Sequence, residues 1–189
     1  MDKNRLEAFS DGVLAIVITI MILELSLPKG DTLKDFLSQG PLIASYAISY
    51  LFIAIYWVNH HLLFNRATRI NVKILWCNIA WLFIMSFIPF ATAWVGQHPN
   101  SFAPLAIYFA DMAFACFAFH VMFYLIIKEN DGQFKLHAKN IVSIITYTGA
   151  ALFGGFCPIA AYIIVTVVSC WWIIPEKNKA ELFNSKNDE

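Results

Sequence analysis

The chain has 189 residues, of which 59% are hydrophobic and 14% charged, and its formal net charge is zero. Soluble domains carry about 25% charged residues, so a mean hydropathy of +0.63 marks an integral membrane protein. The even charge balance also argues against a nucleic-acid partner.

Hydropathy and punctuation divide residues 1–175 into six candidate spans, at 5–27, 41–64, 72–95, 103–127, 140–157 and 159–175, followed by a polar tail at 176–189. Most are long enough to cross a hydrocarbon core of about 30 Å at about 1.5 Å per residue. The first is no signal peptide, because Asp11 and Glu24 interrupt it and it has no small-residue cleavage site. Pro28-Lys29-Gly30 ends it, and Pro41 opens the second span where a missing N–H costs nothing. Pro99 and Pro104 bracket the third connection, and Gly154-Gly155-Phe156-Cys157-Pro158 turns the fifth span into the sixth. With the N-terminus inside, eleven Lys and Arg residues fall on the inner side (Lys3, Arg5, Arg66, Arg69, Lys73, Lys128, Lys135, Lys139, Lys177, Lys179 and Lys186) against two outside, Lys29 and Lys34. The expected architecture is an all-α membrane protein of six helices, N-in and C-in.

The first span carries two distinct features. At about 100° per residue, Ile16, Ile20, Leu23 and Leu27 form one narrow stripe, with Phe9 within about 20° of its centre and Thr19 on its shoulder. Asp11 falls about 140° away. The stripe is expected to face a pathway or symmetry axis, and the Asp11 face to pack on the rest of the subunit. An acid inside a membrane helix needs a donor, a cation or water. Ser10, His60 or His61 and Asn78 are candidates for one polar network, because their spans place them at similar depth.

Adjacent histidines on a helix point about 100° apart, so His60 and His61 do not make a metal chelate, and no metal site is expected. The four cysteines, Cys77, Cys116, Cys157 and Cys170, lie in apolar runs without metal-like spacing and read as buried free thiols. Asp111 and His120 lie nine residues apart on one span, on opposite faces, and do not form a pair. Small residues at Ala150, Ala151, Gly154 and Gly155 suit close helix packing. Trp171-Trp172 suits an interfacial belt.

Arg5-x-x-x-Phe9-Ser10-Asp11 before an Ile/Thr-rich helix resembles the signature of the transmembrane protein 175 family of potassium channels. Trp57-x-x-His60-His61-x-x-Phe64, and Asn78 with Pro89-Phe90, resemble the same family. Helices four to six carry no motif that matches residue by residue. The resemblance implies a homotetramer of single six-helix units in a bacterial cell membrane, with the first helix of each copy lining a central pore. It implies a hydrophobic constriction at Ile16, Ile20 and Leu23 and a selectivity hydroxyl at Thr19. Arg5, Phe9, Ser10, Asp11, Trp57, His60, His61 and Asn78 would form a structural network. The chain has no TVGYG filter.

The expected activity is passive potassium flux, with no cofactor and no soluble partner. Without a carbonyl cage, the preference over sodium should be at most about tenfold, or about 1.4 kcal/mol. The alternatives are a proton-conducting channel or a proton-coupled secondary transporter using His60, His61 and Asp11. Inverted repeats and broken helices, which such transporters use, are not evident. An enzyme is not expected, because no nucleophile–base pair or metal cluster appears.

Overall fold

The computed structural model describes residues 3–132 and 138–174. Lys135, Pro175, Lys177, Lys179, Lys186 and the polar tail at 176–189 lie outside the described residues. Every regular element among the described residues is helical.

The first helix, α1, runs Lys3–Leu23 and buries Leu6, Ser10, Leu14, Val17 and Met21, a three-to-four-residue spacing that defines one face. It ends four residues before the sequence suggests. Leu25 N–H turns back to the Ile22 carbonyl at 3.3 Å, and Leu27 lies beyond the helix. A short helix that hydropathy did not reveal, α2 (Leu33–Ser38), starts at a reciprocal cap. Asp35 N–H donates to Thr32 Oγ1, while the Thr32 hydroxyl and backbone N–H donate to the Asp35 carboxylate. These two donors hold the Asp35 carboxyl below its ordinary value, the hydroxyl contributing most.

The long helix α3 (Gly40–Arg66) has Pro41 in its first turn. The expected third span is bent into α4 (Val72–Met85) and α5 (Ile88–Gln97). Pro89 has no N–H to offer the Met85 carbonyl, and Phe87 N–H tightens onto Ile84 at 2.9 Å. Helix α6 (Phe102–Glu129) is the most enclosed. The chain then forms α7 (Ala138–Phe153), a 3₁₀ turn at Gly154–Phe156, α8 (Pro158–Cys170) and a second 3₁₀ turn at Trp171–Ile173. Among the described residues, Lys3–Leu23, Gly40–Arg66, Val72–Gln97 and Phe102–Glu129 are long and apolar enough to cross a membrane. Helices α7 and α8 are shorter.

The core lies where α3, α4 and α6 meet, around the rings of Phe52, Tyr56 and Phe119, which meet edge to face, with Trp81 tilted against them. Helix α5 presses onto α3 at Gly96, where an added Cβ would sit 2.8 Å from the Leu42 α-carbon.

Polar ties between helices follow one rule. Thr92 gives its hydroxyl hydrogen to its own helix at Ile88 O (2.7 Å), so it accepts from Ser49 (2.7 Å), which accepts from Tyr108 (2.9 Å). Ser169 likewise donates to Val165 O (2.8 Å) and accepts from Tyr147 (2.9 Å). Each of these two chains of donors ends on a helix carbonyl, so none of the hydroxyls within them is left unpaired.

Candidate functional site on the first helix

The buried face of α1 is centred about 120° round from Ile16. The Ile16 stripe flanks it on one side and Asp11 on the other. A helix wedged into its bundle by one face therefore leaves both features at the subunit surface.

Ser10, fully buried, is the inward-facing polar group. It donates to Leu6 O at 2.9 Å and accepts from Asn78 Nδ2 at 2.9 Å, and Asn78 Oδ1 meets His60 Nε2 at 2.9 Å. Because the Ser10 hydrogen is spent on its own helix, the order of donors is fixed as His60 to Asn78 to Ser10 to Leu6. His60 thus carries its proton on Nε2 toward Asn78. Its ring is stacked at 5.2 Å on Trp81 and at 4.4 Å on Phe64. The three residues join α1, α3 and α4.

Asp11 lies outside that chain. It is exposed, and Trp57 Nε1 donates to it at 2.8 Å. The reason is angular: Ser10 takes the direction of α4, and its neighbour Asp11 is turned about 100° away, toward the edge of α3. His61 stacks at 6.3 Å on Trp57 and shares a 2.8 Å hydrogen bond with Asn65. The adjacent histidines therefore serve different neighbours. Arg5 and Phe9 are exposed, and among the described residues Arg5 makes no hydrogen bond or ion pair. A tie that the sequence did not suggest holds the start of α1: Lys3 Nζ donates to Ala67 O at 3.1 Å.

That carbonyl begins the connection 67–71, which Asn130 at the end of α6 grips. Asn130 Oδ1 accepts from Thr68 N, Thr68 Oγ1 and Arg69 N, each at 2.9 Å. Its amide nitrogen donates to Arg69 O and Ile126 O. Arg69 pairs with Asp131 alongside.

Ile16, Ile20 and Leu23 are 58%, 42% and 80% exposed. Thr19 beside them is exposed, and its hydroxyl donates backward to Ala15 O (3.0 Å) and Ile16 O (2.9 Å). With its one hydrogen committed to the helix, the oxygen presents lone pairs outward. Between α1 and α5 runs an open apolar groove of about 610 Å³, walled by Ile16 and Ile20 on one side and by Phe90 and Trp94 on the other. Glu24 and Gln97 sit at one end of it. The aromatic spacing at Phe83, Phe87, Phe90 and Trp94 was the available signal for this wall. On α6, His120 Nδ1 donates to Cys116 O at 2.6 Å and its ring meets Trp172 at 5.8 Å. Asp111 lies elsewhere on that helix and is half-buried.

Residues 5–89 match the family described as Endosomal/lysosomal potassium channel TMEM175. A potassium channel of Chryseobacterium sp. (strain P1-3) is 38% identical over 183 residues, covering 94% of this chain and 95% of the relative. The chain belongs to the TMEM175 family. A potassium channel of Streptomyces collinus is 33% identical over 131 residues, or 65% of this chain and 64% of the relative. The crystal structure of a TMEM175 homolog from Chamaesiphon minutus, described as a lysosomal potassium-selective channel, has a similar fold. Its TM-score is 0.70 at 22% identity, over 90% of this chain and 96% of that one. Membership of the TMEM175 family makes this a multi-pass membrane protein of an ion-channel family, not an enzyme family.

Proposed function

We propose that the chain is one subunit of a potassium-permeable channel, a homotetramer in the cell membrane with α1 of each copy lining the axis. Ile16, Ile20 and Leu23 form its constriction, and Thr19 offers a ring of oxygens. The observation that carries this reading is that an Ile/Leu stripe on a helix otherwise wedged into its bundle is left exposed among the described residues. Four such stripes meeting at an axis make a narrow apolar ring that dewets, so flux requires the ring to widen. Selectivity comes from the Thr19 oxygens and from dehydration, so it stays modest.

The topology that goes with this reading is N-in and C-in with six crossings. Helix α7 and the α8 segment, at about 24 Å each, are short of the hydrocarbon core. Trp171 and Trp172 anchor the second of them at the interface, a usual accommodation of mismatch.

The test is potassium flux into liposomes carrying Ile20→Asn or Leu23→Ser. A polar ring stays wet, so flux should rise by about tenfold, the effect of removing about 1.4 kcal/mol from a barrier. Unchanged flux in both variants rejects the constriction. The competing proton pathway is separated by a pH gradient imposed with potassium absent: proton flux that falls in Asp11→Asn would favour it.

A further inference from the structure

We propose that the groove between α1 and α5 is the seat of the neighbouring copy's first helix. Phe90 of one subunit packs on the Ala15 face of the next, which leaves Thr19 at the edge of the contact toward the axis. The surface rests on the axial placement of α1 proposed above and names the partner that completes it.

The argument begins from the groove's walls. Val13, Ile16, Val17 and Ile20 line it from α1, and Pro89, Phe90, Ala93 and Trp94 line it from α5. Two of the α1 residues, Ile16 and Ile20, also belong to the stripe assigned to the axis. The groove therefore cannot open onto lipid if the stripe faces the pore. Its α1 wall is centred about 50° round from Ile16, and the stripe only about 10° round. In a closed fourfold ring, each neighbour lies about 45° to either side of the inward direction. The groove thus points at one neighbour.

The same rotation in the opposite sense reaches Gly12, Thr19 and, further round, Ala15. All three are exposed, and a Cβ added at Gly12 meets nothing within 4 Å. One flank of the subunit is therefore concave, with Phe90 exposed and Trp94 half-buried, and the other is a bare helix with short side chains. Such a heterologous pair of surfaces repeats around a ring until it closes. Depth agrees as well. Ile16 and Phe90, then Ile20 and Trp94, and finally Glu24 and Gln97 occur in order along the groove's two walls. A rotated copy presents its Ala15 at the depth of Phe90. Glu24 and Gln97 form the polar rim that an apolar contact has at a membrane interface.

The experiment is oxidative cross-linking in native membranes of the full chain carrying Ala15→Cys with Phe90→Cys. The unsubstituted chain reports any background from its own cysteines. The expected result is a ladder of cross-linked species reaching four subunits, because each copy uses both flanks. A second variant, Ile20→Cys alone, reports the axis. A third, Ala15→Cys with Ile164→Cys, probes the α7–α8 face. An Ile20 cross-link without an Ala15–Phe90 ladder keeps α1 at the axis and overturns the groove assignment. Loss of both cross-links overturns the axial reading as well. A ladder that stops at two subunits, or one from the Ile164 pair, also overturns the proposal.

Discussion

Removing the Ser10 hydroxyl interrupts a buried polar tie of α1, and its cost follows from the direction of the hydrogen bonds. In Ser10→Ala the helix loses nothing of its own, because Leu6 O remains within α1. The loss falls on Asn78, whose fully buried amide nitrogen has its 2.9 Å bond to Ser10 removed. In a soluble core, an orphaned donor costs about 1–3 kcal/mol. Hydrogen bonds between membrane helices average about 0.6 kcal/mol and reach about 1.7, because the inserted but unfolded helices find other partners. The bilayer figure applies here, since unfolding leaves the segments in the membrane, and the tight enclosure places this pair toward its upper end. Ser10→Ala should cost about 1 kcal/mol. Asn78→Ala should cost more, because it also deprives His60 Nε2 of its acceptor. The decisive quantity is the coupling in a double-mutant cycle, expected at about 1 kcal/mol. Reversible unfolding in mixed detergent micelles, followed by helicity, measures it. Additivity within about 0.3 kcal/mol would refute the directed chain from His60 to Leu6.

Thr19→Val keeps the shape of the side chain and deletes the outward oxygen. The potassium-to-sodium permeability ratio, read from reversal potentials, should fall toward unity while flux persists, and an unchanged ratio removes Thr19 from selectivity. Gly96→Ala places a methyl 2.8 Å from the Leu42 α-carbon and 2.5 Å from its Cδ1. The side chain can give way but the backbone cannot, so the variant should lose about 1–3 kcal/mol in the same unfolding assay; a neutral result would mean that α3 and α5 separate freely.

How much of this was legible in the sequence depended on whether the signal was periodic or pairwise. The Ile16, Ile20 and Leu23 stripe and the Ser10–Asn78–His60 tie follow from helical angle and depth, which a sequence carries directly. The Trp57–Asp11 bond does not, because whether a flanking acid turns inward or along the surface depends on how far α1 rotates in its socket. That rotation is set by Leu6, Leu14, Val17 and Met21 packing into the bundle, a tertiary fit. The bend at Ser86-Phe87 was present as Pro89, but a proline in an apolar run is compatible with a straight span until the neighbour's carbonyl is seen to be released. The Lys3–Ala67 bond and the Asn130 clamp join residues about sixty positions apart through backbone atoms, and backbone acceptors leave no residue-type signal.

The distribution of ties along α1 has a mechanical consequence. Lys3, Ser10 and Asp11 bind other segments of the subunit, and beyond Asp11 no side chain of the helix makes a hydrogen bond to another helix among the described residues. Thr19 bonds only its own turn. The helix is pinned by hydrogen bonds at one end, and the stripe occupies the other. Measured from Ser10 at about 1.5 Å per residue, Ile16 lies about 9 Å and Leu23 about 20 Å along the lever. A tilt of about 10° about the pin then moves Leu23 by roughly 3.4 Å and Ile16 by roughly 1.6 Å. Widening by tilt should therefore be graded along the pore, greatest at Leu23. Distances between labels placed at Ile22 in different copies should spread about twice as far as those between labels at Ala15, when conducting and non-conducting conditions are compared. Equal spreading at both positions would mean that α1 moves as a whole, and that the Ser10 tie travels with it instead of serving as its pivot.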